Sequence, residues 1–181
     1  MAAIAAAGPA AQSGKFKGAP ETFNARAKVA TAASSGDAYI TIRVEKYTPD
    51  KEREAMQRAL ETGGSSGFLD ALKKAPVVGR FDVGKQTFSI RWARQEPSGA
   101  GRVITLVIDR PVYFVGAGVP GAKSREGFDL AIVQLTMDSA GIGEGTMAAA
   151  ARVKPGGPTG VQVDDYATTP VKLVSVTRKV E

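Results

Sequence analysis

The chain has 181 residues, 43% of them apolar and 23% charged, with a formal charge of +6. That is enough chain for one domain with a core, and too apolar for a wholly disordered one. It contains no cysteine and no histidine, which excludes disulfides, thiolate and imidazole metal ligands, cysteine nucleophiles and the Ser-His-Asp triad.

Residues 1–12 are small and apolar and end in Ala10-Ala11-Gln12. They read as the rear part of a signal peptide that lacks its charged front region. With the lead-in to residue 20 they form an expected leader, 1–20, ahead of a single domain, 21–181. A bacterial protein of the periplasm or the secreted fraction is therefore expected. No run of 18 apolar residues occurs, so no membrane-spanning helix is expected.

Between Thr22 and Thr31, residues Phe23, Ala25, Ala27 and Val29 alternate with Asn24, Arg26 and Lys28, the pattern of a half-buried strand. A turn over 33–37 leads to a second alternation from Tyr39 to Tyr47, with Ile40, Ile42 and Val44 on one face. The period then changes. Thr48-Pro49-Asp50 predicts a helix start, with Thr48 as the capping hydroxyl. Ala55, Met56, Ala59 and Leu60 form a stripe that ends at Gly63-Gly64. A second short helix puts Phe68, Leu69 and Leu72 inward and ends by Ala75-Pro76. The result is a helical hairpin inserted at 48–75.

Strands follow. Residues 77–83 reach a turn at Gly84-Lys85. Residues 86–95 place Phe88, Ile90 and Trp92 on one face and Ser89, Arg91 and Ala93 on the other. The nearly unbroken apolar run 102–108 predicts a strand buried on both faces. Residues 128–137 form another. Ala148–Ala151 favours helix by propensity, but Gly143 and Gly145 and the hairpin spacing predict a strand over 146–154. Segments 161–166 and 171–180, separated by a kink at Pro170, close the chain. The predicted class is mainly β with a helical hairpin (α+β): an antiparallel up-and-down meander of eight or nine strands. It closes fully or partly into a lipocalin-like barrel with the hairpin over one end; a β-sandwich is the alternative.

Motifs exclude more than they identify. Gly116 to Gly121 fits G-x-G-x-x-G, yet Pro120 and Gly127 leave no room for the helix a dinucleotide needs, and Ala122 displaces Lys123 from a phosphate-loop position. Asp164 and Asp165 point to opposite faces of a strand, and no calcium-loop spacing occurs. No catalytic residue, cofactor or metal site is expected. The basic excess is dispersed, with Lys73-Lys74 and Arg178-Lys179 as its densest pairs, and the four tyrosines form no stacking platform, so no specific nucleic-acid partner is expected. Oligomeric state carries no sequence signal. Candidate ligand-pocket residues are Trp92, the only tryptophan; Asp109 and Arg110, at the end of the most buried strand, where an arginine can hold a carboxylate; and Tyr113 and Tyr166.

A set of segments is also familiar: Thr48-Pro49-Asp50-Lys51-Glu52-Arg53-Glu54, then Leu72-Lys73-Lys74-Ala75-Pro76 with Val78-Gly79, then Ile104 to Pro111, Phe128-Asp129-Leu130, Gly143-Glu144-Gly145-Thr146 and Tyr166. Over roughly residues 21–179 this resembles a group of short uncharacterised exported bacterial β-rich proteins with no assigned activity. The resemblance implies export and one domain, and carries no functional residues.

Three functions follow as expectations. The first is a non-catalytic binding module holding a small hydrophobic ligand inside the barrel beneath a helical lid. The second is a cell-envelope interaction protein whose Arg26, Lys28, Arg43, Arg91 and Lys172 share one basic surface. The third is an enzyme without histidine or cysteine, which needs two carboxylates, or a lysine with a tyrosine, converging in a pocket.

Overall fold

Alternating apolar residues build the first hairpin. A computed structural model describes residues 18–30, 35–113, 126–156, 161–165 and 171–179. In it β1 (Glu21–Ala30) and β2 (Ser35–Val44) pair antiparallel from Glu21↔Val44 to Ala30↔Ser35. Phe23, Ala25, Ala27, Ile40, Ile42 and Val44 are all buried on the inner face. After α1 (Asp50–Lys74) come β3 (Gly79–Val83), β4 (Gln86–Ser98), β5 (Gly101–Ile108), β6 (Leu130–Met137), β7 (Ile142–Pro155), β8 (Val161–Asp165) and β9 (Val171–Lys179). The leader as far as residue 17, the glycine loop 116–121, Tyr166 and Pro170 lie outside the described residues.

Consecutive strands pair antiparallel as far as β7, and β9 pairs with both β7 and β1. Eight strands therefore close into a barrel, which rules out the sandwich. The long β7 carries β9 on residues 142–147 and the extra strand β8 on residues 151–155, along the same edge. Pairing with β6 at Ala148 and Ala151, and with β8 from Ala151 onward, overrides the helix propensity of Ala148–Ala151. Closure brings backbones together at β6. A Cβ on Gly101 would collide with the Met137 carbonyl, and one on Gly143 with the Thr136 carbonyl, so both strands that flank β6 need glycine there.

The interior is filled. Phe81 and Phe88 meet edge to face at 6.3 Å, and Ile104, Leu106, Ile108, Val133, Leu135 and Leu173 pack around them with no exposed surface. Eight strands enclose a space that side chains can fill in this way. Val112 seals one end: it is buried, and its N–H donates to the Ala149 carbonyl at 2.9 Å. A ligand inside the barrel, as expected from sequence, would have to displace these residues. The outer face of β1–β3 carries Asn24, Arg26, Lys28, Arg43 and Arg80. This polarity is opposite to that of a lipid-embedded barrel. Among the described residues no helix is long and apolar enough to cross a membrane.

The opposite end is closed by charge. Arg102 on β5 donates Nη1 to Glu21 Oε1 at 2.9 Å and Nη2 to Glu21 Oε2 at 2.6 Å, and the two side chains are 6% and 2% exposed. The remaining polar atoms are also engaged. Tyr47 Oη donates to Glu21 at 2.9 Å, Gln95 accepts from Arg102, and Arg178 stands 3.8 Å from Glu21. Burial, then the charge of Glu21 and the hydrogen bond to it, push the Tyr47 phenol well above its usual range. Burial works against the charge on Arg102, but Glu21 and Tyr47 outweigh it and raise its pKa.

The helical segment is one element, α1, broken at Gly64 (φ 62°, ψ −154°). The second arm turns back on the first, so that a Cβ on Gly67 would lie 2.6 Å from the Ala59 carbonyl oxygen. Asp50 and Glu52 in the first turn and Lys73 and Lys74 in the last complement the helix dipole. The expected position over one barrel end is corrected. Met56, Leu60, Phe68 and Leu72 pack on Val107, Leu130, Ile132, Ala151 and Val153 of the outer wall. The ends already have their own seals, whereas these outward apolar side chains would otherwise face water.

Two outcomes follow from the charged seal. Glu21→Gln leaves Arg102 buried without its counter-charge and should lower unfolding free energy by about 3–5 kcal/mol in urea titration; a loss below about 1 kcal/mol would contradict the assignment. The raised Tyr47 pKa has a definite sign. Below the ordinary phenol value near 10 both states are protonated and the full contribution is present. Above it the unfolded chain sheds a proton that the folded state keeps, so stability falls as pH rises. Tyr47→Phe should flatten the decline in stability above about pH 10 relative to the parent; parallel curves would show that Tyr47 does not drive it.

Candidate functional site

A bulge in β4 creates the site. Ile90 pairs with Ile108 but Trp92 with Val107, so two residues of β4 oppose one of β5 and Arg91 is the extra residue. The phase of the strand reverses there. Ala93 turns inward and is buried in the core, while Trp92 turns outward onto the layer beneath α1. The sequence expectation that Trp92 shares the face of Phe88 and Ile90 is corrected by this one inserted residue. Thr48 holds the bulge. Its N–H donates to the Ala93 carbonyl at 2.8 Å and its Oγ1 accepts from the Ala93 N–H at 3.0 Å. The hydroxyl expected to cap α1 is thus spent on β4, and the N-cap Pro49 has no side-chain cap.

Trp92 forms one side of a groove of about 320 Å³ between α1 and the outer wall. Val107, Ile132 and Val153 are apolar lining residues from the wall, and Met56 and Phe68 come from α1. Arg53, Gln57, Arg94, Glu96, Thr105 and Gln134 supply its polar groups. Arg94 is paired with Glu96 at 2.8 Å. Val161 and Val163 of β8 line the same groove, and Val163 is 45% exposed. The β7–β8 hairpin that presents them is fastened by Asp164. Hydrogen bonds from Lys154 and Arg152 hold that carboxyl below its usual range.

The other sequence candidates do not join Trp92. Asp109 and Arg110 line a separate depression with Lys73, Ser89 and Arg91, and Asp109 pairs with Arg91 at 2.9 Å. Tyr113 is half-buried and lines neither space. The groove's other residues escape a reading of the sequence because the lining is drawn from six elements, α1 and β4 to β8. Their sequence signal was the outward phase of apolar residues at Val107, Ile132 and Val153, on a barrel whose inner face needs only the alternate set.

Of the five basic residues expected to share a surface, Arg26, Lys28, Arg43 and Lys172 face outward on the β9–β1–β2 wall, and Arg91 does not. Arg26 pairs with Asp37, and Arg43 with Glu45 at 2.6 Å. Tyr47, whose phenol is raised, belongs to the charged seal and donates to Glu21 there, so its perturbation marks a structural contact. Among the described residues no three acidic side chains gather as a metal ion would require.

No family model matches the chain, and no curated protein or solved structure matches it either.

The clamp on the bulge is testable. Thr48→Val leaves the buried Ala93 N–H without an acceptor and should cost about 1–3 kcal/mol in denaturant titration, with Trp92 emission shifted to the red. Thr48→Ser, which keeps the hydroxyl, should retain the parent emission; equal behaviour of the two variants would show that the hydroxyl does not hold the bulge.

Proposed function

We propose that this protein is a non-catalytic binding module that carries a small hydrophobic molecule outside the bacterial cytoplasm, in the groove between α1 and the barrel wall. The groove carries the reading. Its volume of about 320 Å³ falls at the lower end of the range used for small-molecule sites. Val107, Ile132 and Val153 offer an apolar floor, Trp92 and Phe68 offer flat rigid walls, and a few polar side chains stand at the rim. Such a surface gains free energy when an apolar body replaces water. The filled interior favours the outer groove over the lumen. Export rests on the Ala-rich opening residues and on the resemblance to exported proteins.

A second reading, contact with an anionic envelope surface, is favoured by Lys28 and Lys172, which face one another in register on β1 and β9. Like charges so placed repel unless an anion covers them.

Trp92 is the only tryptophan, so energy transfer to the neutral apolar fluorophore N-phenyl-1-naphthylamine reads the groove directly. Saturable transfer is expected, lost in Thr105→Arg and Val163→Arg, which set a charge into the groove from partly exposed positions. Transfer that does not saturate, or that survives both substitutions, would rule the groove out.

A further inference from the structure

Cations gather at the C-terminal end of α1, in a space that shares no lining residue with the groove. Lys73, Ser89, Arg91, Asp109 and Arg110 line an open depression of about 470 Å³. The one carboxylate is already engaged: Asp109 accepts from Arg91 Nε at 2.9 Å. Arg91 Nη1 also donates to the carbonyl of Ala75, the residue that caps α1, at 2.9 Å. That contact offsets the negative end of the helix, and Lys73 in the last turn does the same.

Helix compensation accounts for two of the cations and leaves Arg110 unexplained. Its Nη2 donates to the Thr87 carbonyl at 2.9 Å, and its guanidinium lies 4.7 Å above the Phe88 ring. Both contacts orient the side chain and neither neutralises it. Among the described residues no carboxylate pairs with it. Among the described residues no partner engages Nη2 of Arg91, or Nε and Nη1 of Arg110.

We propose that this depression binds a phosphate-class oxyanion, held by the free edges of Arg91 and Arg110 with the Lys73 ammonium and the Ser89 hydroxyl. Planar guanidinium forks match the oxygens of a phosphate, and side chains already fixed by other contacts lose little freedom on binding it. Three cations against one carboxylate also draw an anion toward the site. The proposal is independent of the groove, since no residue is shared between the two linings.

The test is a titration of the whole protein with inorganic phosphate, followed by amide chemical shifts, with sodium chloride at matched ionic strength as control. Saturating shifts at Ser89, Arg91 and Arg110 are expected with phosphate alone. Arg110→Gln and Lys73→Gln, both at exposed positions, should weaken the affinity about tenfold. Sedimentation with vesicles then separates two sources. Binding to phosphatidylglycerol but not phosphatidylcholine vesicles, lost in Arg110→Gln, marks a lipid headgroup; phosphate binding without it marks a soluble phosphate compound. Shifts no larger than those with chloride, or an affinity unchanged in both variants, would overturn the proposal.

Discussion

Glu21 and Arg102 meet across the barrel axis, and much of the architecture follows from that contact. β1 and β5 stand four strands apart in either direction around the ring of eight, so the ion pair spans the lumen. Two buried charges are tolerable only when every remaining lone pair and proton finds a partner. Tyr47, Gln95 and Arg178 supply those partners from β4, β9 and the segment after β2. Phe23 adds its ring, 5.9 Å from the Arg102 guanidinium. A hydrophobic plug of equal volume would give similar stability. The ionic seal additionally ties the starts of two strands that are far apart in sequence, and so fixes which side of each strand faces the lumen.

With the lumen filled, the outer wall becomes the second layer. β5 turns Ile104, Leu106 and Ile108 to the barrel core and Val107 to the layer beneath α1, while Val103 and Thr105 on the outer face stay partly exposed. The bulge at Arg91 joins the two layers. It sends Ala93 inward, sends Trp92 outward, and leaves Arg91 free to reach both Asp109 and the end of α1. One inserted residue thus shapes the groove and also places a guanidinium in the depression lined by Lys73, Asp109 and Arg110.

Strands were legible wherever the period was local. The alternation of Phe23, Ala25 and Ala27 marks β1, and the nearly unbroken apolar run 102–108 marks a strand that turns Ile104, Leu106 and Ile108 to the core and Val107 to α1. The meander order followed from the short turns. Three features were not legible. A bulge is invisible to a period-two pattern, because it is the place where that pattern fails, so Trp92 was assigned to the wrong face. Thr48 looked like a helix cap because capping is judged from neighbours in sequence, and its true partner, Ala93, is 45 residues away. The contact between Glu21 and Arg102 spans 81 residues. A signal for it did exist: each lies in the inward phase of an otherwise apolar strand, and they carry opposite signs. The same non-local assembly explains why Trp92, Asp109 and Arg110, grouped from sequence, belong to two separate spaces.

The proposed function requires a barrel that holds side chains inside and takes a ligand on its outer wall. Intermolecular NOEs between n-decanol and the methyl-labelled protein test this most directly. Binding in the groove should give NOEs to the methyls of Val107, Ile132 and Val153, on the outward face beneath α1. NOEs to Ile104, Leu106, Val133 and Leu135 would place the ligand in the lumen and contradict it, and the absence of any NOE would remove the groove as a binding site.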